Sequence, residues 1–133
     1  MIVIGINSST APFMADIGAL LKRLETRSKN MLGRYVGQRV ILAETKQGGY
    51  LALYTARIRS AHDIRSLEEW DALRPLHRVP EGNVLYDWKP DTRVKWVYEL
   101  TDIRRLRPFM VPEGIRHGRT CMEYEPKKGG NKS

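Results

Sequence analysis

At 133 residues and 15.3 kDa the chain has the size of one domain with one core, and its hydrophobic residues, 41% of the total, are too interrupted to span a membrane. Lys and Arg number 23 against 15 Asp and Glu, a formal charge of +8 that favours polyanionic partners, RNA or DNA first among them, although a basic surface also serves solubility alone. The single cysteine, Cys121, excludes an internal disulfide, and with no positive n-region or apolar h-region near the start the sequence reads as a cytoplasmic protein without a secretion signal.

Ile2 to Ile6 is apolar and β-branched and runs into Asn7, Ser8, Ser9 and Thr10, the pattern of a short buried strand followed by a capping loop. A long helix is predicted next, from Pro12 to Leu24. Thr10 is placed to cap it, Pro12 suits its first turn, and Phe13, Ile17, Leu20, Leu21 and Leu24 form an amphipathic stripe. Arg39 to Thr45 reads as a strand that turns at Gln47, Gly48 and Gly49 into a return strand, Tyr50 to Ile58, whose bulk on both faces predicts a central place.

Ile64, Leu67, Trp70 and Leu73 recur every three residues and predict a second, shorter helix, with Asp63 or Ser66 as its cap. Arg74 to Thr92 is rich in proline and turn residues and is expected to be a long ordered loop, a frequent home of function. Val94 to Leu106 predicts a long, bent strand ended by Pro108 and Pro112, and Arg119 to Glu125 a closing strand. The Lys- and Gly-rich tail 126–133 is expected to be disordered and basic, leaving 1–125 as the domain. This order lacks the alternation of a parallel α/β sheet. It predicts an α+β chain, a small mixed β-barrel with a long N-terminal helix and a second short helix at its ends.

Chemistry concentrates at Lys22, Glu25 and Arg27, a Lys-x-x-Glu-x-Arg group where the first helix should turn into an extended segment. In an extended stretch Glu25 and Arg27 leave on the same side, and Lys22 on the last helical turn leans toward them, its amine outside the core. Two cations can hold a phosphate and the carboxylate can accept from a base edge; the same charges also describe a solvated ion-pair cluster.

The segment from Ile6 to Arg27, with Tyr35 to Leu42 after it, resembles the ASCH domain of the PUA-like superfamily, whose signature is Gly-x-Lys-x-x-Glu-x-Arg. Lys22, Glu25 and Arg27 stand at its charged positions, and Leu20 stands at its glycine. The resemblance implies a PUA-like β-barrel with a cleft beside the signature, a role in binding RNA, and in some members action on RNA or modified nucleosides. One similar branch hydrolyses acetylated cytidine with the threonine of Lys-x-x-Thr-x-Arg as nucleophile. Glu25 stands in that threonine's place and Thr26 points to the other side, which disfavours that mechanism while leaving Glu25 able to act as a base on water.

Further candidates for nucleic-acid contact are Tyr86 and Trp88 as stacking residues, Arg104, Arg105 and Arg107 as a phosphate-tracking strip, and His117 with Arg119 near the closing strand. Each has a plain structural alternative: loop anchoring for the aromatics, a solvated strand edge for the arginines, loop packing for the histidine. The three histidines show no metal-ligand spacing, and no cofactor is called for. The sequence therefore predicts a domain that binds RNA, single-stranded DNA or a modified nucleotide in a cleft beside the motif. A hydrolase working in the same cleft, with Lys22 and Glu25 as its catalytic pair, is the alternative, and a scaffold for protein contacts remains open because fold does not fix function.

Overall fold

A computed structural model of the protein describes residues 1–112 and 121–123. Its elements are β1 (Ile2–Ile6), α1 (Phe13–Gly18), β2 (Leu24–Arg27), a 3-10 turn at Gly33–Tyr35, β3 (Arg39–Lys46), β4 (Gly49–Ile64), α2 (Leu67–Ala72), α3 (Arg74–His77), β5 (Lys95–Pro112) and β6 (Cys121–Glu123). The strands form one sheet in the order β2-β5-β4-β3-β1-β6. β1 runs parallel to β3 and every other pairing is antiparallel.

The predicted barrel is therefore wrong: β2 and β6 lie at opposite ends of the strand order and do not pair, so the sheet is open and mixed. The β4–β5 pair is irregular, with extra residues on β5 at two places and on β4 at a third. Against β4 the register shifts at Ala52/Tyr54, Thr55/Arg57 and Ile58/Ser60. Extra residues in one strand bend and twist a ribbon, and here Asp102 takes a positive φ of 50° at one shift while Pro108, expected to end the strand, falls within another. Arg39 holds the Asp102 bulge by pairing with its carboxylate and donating to its carbonyl at 3.0 Å.

Alternation along the strands builds two apolar clusters on opposite faces. Ile2, Ile4 and Ile6 with Val40 and Leu42 join Phe13, Met14 and Ile17 of α1 and Trp70 of α2 on one face. Val3, Ile41 and Ala43 join Tyr50, Ala52 and Val111 on the other. That two-sided burial explains why β1 is apolar at four of its five positions.

The predicted long N-terminal helix is also wrong, since α1 stops at Gly18. A Cβ at Gly18 would lie 2.2 Å from the Tyr54 hydroxyl, so close packing against β4 keeps glycine there. Beyond it the chain closes a left-handed cap: Leu20 takes φ 63°, its amide donates to the Ile17 carbonyl at 3.0 Å, and the Leu21 amide donates to Asp16 at 2.8 Å. The cap turns Leu20 and Leu21 outward, 52% and 48% exposed, and releases Leu24 into β2. The expected Thr10 cap does not form either; the Ser8 hydroxyl accepts from the Met14 amide. For α2 the cap is Ser66, whose hydroxyl accepts from the Glu69 amide at 3.1 Å.

A left-handed residue with a Cβ costs about 1 kcal/mol that glycine does not incur. Leu20→Gly is expected to raise stability by up to about 1 kcal/mol, a few degrees in Tm, while Leu20→Ala gives no gain because the strain stays. Thermal melts of the two variants compare them directly.

Candidate functional site

Lys22 follows the left-handed cap and lies two residues before the start of β2. The expectation that its amine lies outside the core fails: the residue is 2% exposed. Its ammonium donates to the Leu24 carbonyl at 2.8 Å and the His77 carbonyl at 2.6 Å, sits 5.0 Å from the Phe13 ring centre, and lies 3.9 Å from Glu25 Oε1. Burial pushes it down to about 8, opposed by the attraction of Glu25 and reinforced by the nearby Arg27 charge.

Glu25 and Arg27 leave the same face of β2, and Arg27 Nη2 meets Glu25 Oε2 at 2.8 Å while also donating to the Gly5 carbonyl at 3.1 Å. Glu25 is 7% exposed. β2 pairs along its length with the start of β5, Glu25 opposite Tyr98 and Arg27 opposite Trp96, so the sheet fixes the spacing of the two charges. All three motif side chains line one cavity of about 300 Å³. Phe13, Met31, Val79, Leu85 and Tyr86 supply apolar wall, and Asn7, Ser28 and Lys95 add polar groups.

Tyr86 belongs to this cavity, its hydroxyl accepting from Asn7 Nδ2 at 3.0 Å and its ring meeting Phe13 edge-on at 5.7 Å. Trp88 does not. It packs against Trp70 at 6.2 Å and is part of the core margin. Arg104, Arg105 and Arg107 lie further along β5 than Lys95 and are not among the residues that line the cavity. All three are exposed, and Arg104 is paired with Asp102 at 2.8 and 3.1 Å. His117 and Arg119 lie outside the described residues, as does the tail 126–133.

The loop that carries Tyr86 is held by two buried polar residues. Asn83 accepts from the Leu85 and Tyr86 amides at 3.1 and 3.0 Å and donates to the Thr10 hydroxyl at 3.0 Å. Asp87 accepts from Trp70 Nε1 at 2.8 Å, the Gly82 amide at 2.7 Å and Arg74 at 3.2 Å. Burial raises its carboxyl, but these donors and the Arg74 charge prevail and hold it at about 2.

Sequence reasoning passed over Asn7, Met31, Leu85 and Lys95. Phe13 belongs to the apolar stripe and Lys95 to the segment that predicts the late strand, and neither carries a site signal of its own. Nothing in their spacing brings together segments so far apart in the chain.

No protein-family model matches the chain, and no curated protein matches it. Among solved structures, the crystal structure of ASCH from Zymomonas mobilis is similar at a TM-score of 0.72 and 14% identity, over 98% of this chain and 90% of that one. A serine-to-alanine mutant of that protein matches at 0.72 and 14%, over 98% and 92%. A tyrosine-to-phenylalanine mutant matches at 0.65 and 17%, over 81% and 73%. The chain has the ASCH fold.

Beneath the cavity, His77 stacks on Trp70 at 3.9 Å, accepts from the Val79 amide through Nδ1 at 2.9 Å and therefore donates through Nε2 to the Trp70 carbonyl at 3.0 Å. Protonation would turn the Nδ1 acceptor into a donor facing an amide. Burial foremost, with the charges of Lys22 and Arg74, depresses the imidazole to about 4 from an ordinary 6.5. The unfolded chain binds the proton first as pH falls, so the stability His77 contributes is complete above pH 6.5 and is lost toward pH 4. Denaturant titrations should show stability dropping across that window, and His77→Gln, weaker at pH 7, should show a flatter slope there. Parallel slopes would contradict the assignment.

Proposed function

With an ASCH fold as premise, we propose that the domain binds nucleic acid, RNA ahead of DNA, or a modified nucleotide, by taking a base into the cavity beside Lys22, Glu25 and Arg27. One observation carries this reading: a carboxylate held by two cations faces a cavity whose other wall includes Phe13 and Tyr86. An apolar, partly aromatic wall suits the flat face of a base, and a fixed carboxylate accepts from the N–H groups on its edge. A volume of about 300 Å³ is at the lower end for ligand pockets, matching one nucleoside and not a larger ligand.

Within this reading the motif's charges divide their work. The Lys22 amine, already given to two carbonyls, positions Glu25, and Glu25 reads the base edge. Arg27 holds the carboxylate's second oxygen. Phosphate contact falls to residues nearer solvent, such as Lys95, with exposed Arg105 and Arg107 adding long-range attraction. Among the described residues no helix is long and apolar enough to cross a membrane.

A second reading, hydrolysis in the same cavity, has its own support in the Lys22 amine, which burial lowers to about 8 and which lies 3.9 Å from the Glu25 carboxylate. The two carbonyls that engage the amine favour the binding reading. Glu25→Gln separates the two. A binder should lose roughly tenfold or more in affinity, or change base preference, with no product formed by the parent protein; a hydrolase should lose turnover instead. Titration with RNA and DNA at two salt concentrations, with products analysed in parallel, gives both readouts. Affinity should fall steeply as salt rises. Binding that ignores both salt and Glu25→Gln would remove the proposal.

A further inference from the structure

We infer that the cavity draws its base from within a single strand, with Met31 on one lip and Val84 and Leu85 on another seating the neighbouring bases; the inference rests on the binding reading above. Met31 and Leu85 line the cavity yet are 42% and 50% exposed, so they stand at its mouth, and Val84 beside Leu85 is 71% exposed. They come from two separate segments, the loop after β2 and the loop before β5. A free nucleoside filling about 300 Å³ would need no apolar surface beyond the mouth, whereas bases on either side of an inserted one need just such surface to rest on.

Charge at the mouth fits the same occupant. Lys29 is exposed two residues before Met31, and Arg34 three after it. Lys89 folds back to donate to the Val84 carbonyl at 2.7 Å, which brings an exposed ammonium to the lip itself. Arg93 is exposed and Lys95 lines the cavity. Of the acids between Val84 and Lys95, Asp87 is buried and spent on Trp70, Gly82 and Arg74, which leaves Asp91 as the exposed one. Apolar lips within a basic rim make a track for an unpaired strand, and a paired base could not leave its helix for the cavity without unstacking and unpairing.

The test compares RNA and DNA homopentamers of each base with the matching nucleoside 5′-monophosphates and with a blunt duplex. The best pentamer should bind roughly tenfold or more tightly than its own monophosphate, and the duplex should fail to compete. Since a pentamer also carries more phosphates, the decisive measurement is the pentamer-to-monophosphate ratio in Met31→Ser/Leu85→Ser, which keeps every charge. That ratio should fall toward one. If it persists, charge alone explains the preference and the lips have no role. Equal binding of pentamer and monophosphate, both weakened by Glu25→Gln, leaves the cavity reading intact and removes the strand. Binding by none of the probes removes both.

Discussion

The arrangement around the cavity depends on one buried ammonium. Lys22 joins the end of α3, through the His77 carbonyl, to the start of β2, through the Leu24 carbonyl, and faces Glu25 from the same position. A charge removed from water costs several kcal/mol unless its protons find acceptors, and two backbone carbonyls and a carboxylate are what offset that cost here. Because those acceptors lie on separate segments, satisfying one side chain fixes where β2 meets the helical region. The geometry of Glu25 and Arg27 follows from it.

A second constraint is the left-handed turn at Leu20. Without it α1 would continue, Leu20 and Leu21 would seek the core, and Lys22 would emerge on a helical surface. The turn instead sends the chain back across Asp16, whose carbonyl receives the Leu21 and Lys22 amides at 2.8 and 3.0 Å. It therefore aims the lysine inward. The ASCH signature that this sequence resembles has glycine at that position, and the φ of 63° supplies the physical reason a glycine suits it.

The strand segments were legible because their residues alternate and their turns are written in glycine: Ile2 to Ile6, the Gln47–Gly49 turn and the bulky central strand all read locally. The grouping of Lys22, Glu25 and Arg27 was legible from spacing and from the resemblance. The end of α1 was not, since the apolar stripe continues past Gly18, and neither the left-handed turn at Leu20 nor the packing of Tyr54 against that glycine is written in the stripe. Closure was misjudged for a related reason. Whether a sheet joins its edges depends on how the irregularities along β4 and β5 add up, and the alternation of Val94 to Leu106 says nothing of register. Trp88 looked like a stacking residue because a loop tryptophan carries no mark telling core from surface, and its partner Trp70 lies in a helix.

The fastening of the loop before β5 separates what must stay from what is free to drift. Asn83 and Asp87 hold it through backbone amides and through Trp70, so its path depends on those two side chains and on hardly anything carried at 84 and 85. Substitutions at Val84 and Leu85 alter the surface at the cavity mouth without removing the side-chain bonds that fasten the loop. A designer could randomise those two positions as a small library while the contacts that fasten the loop stay in place.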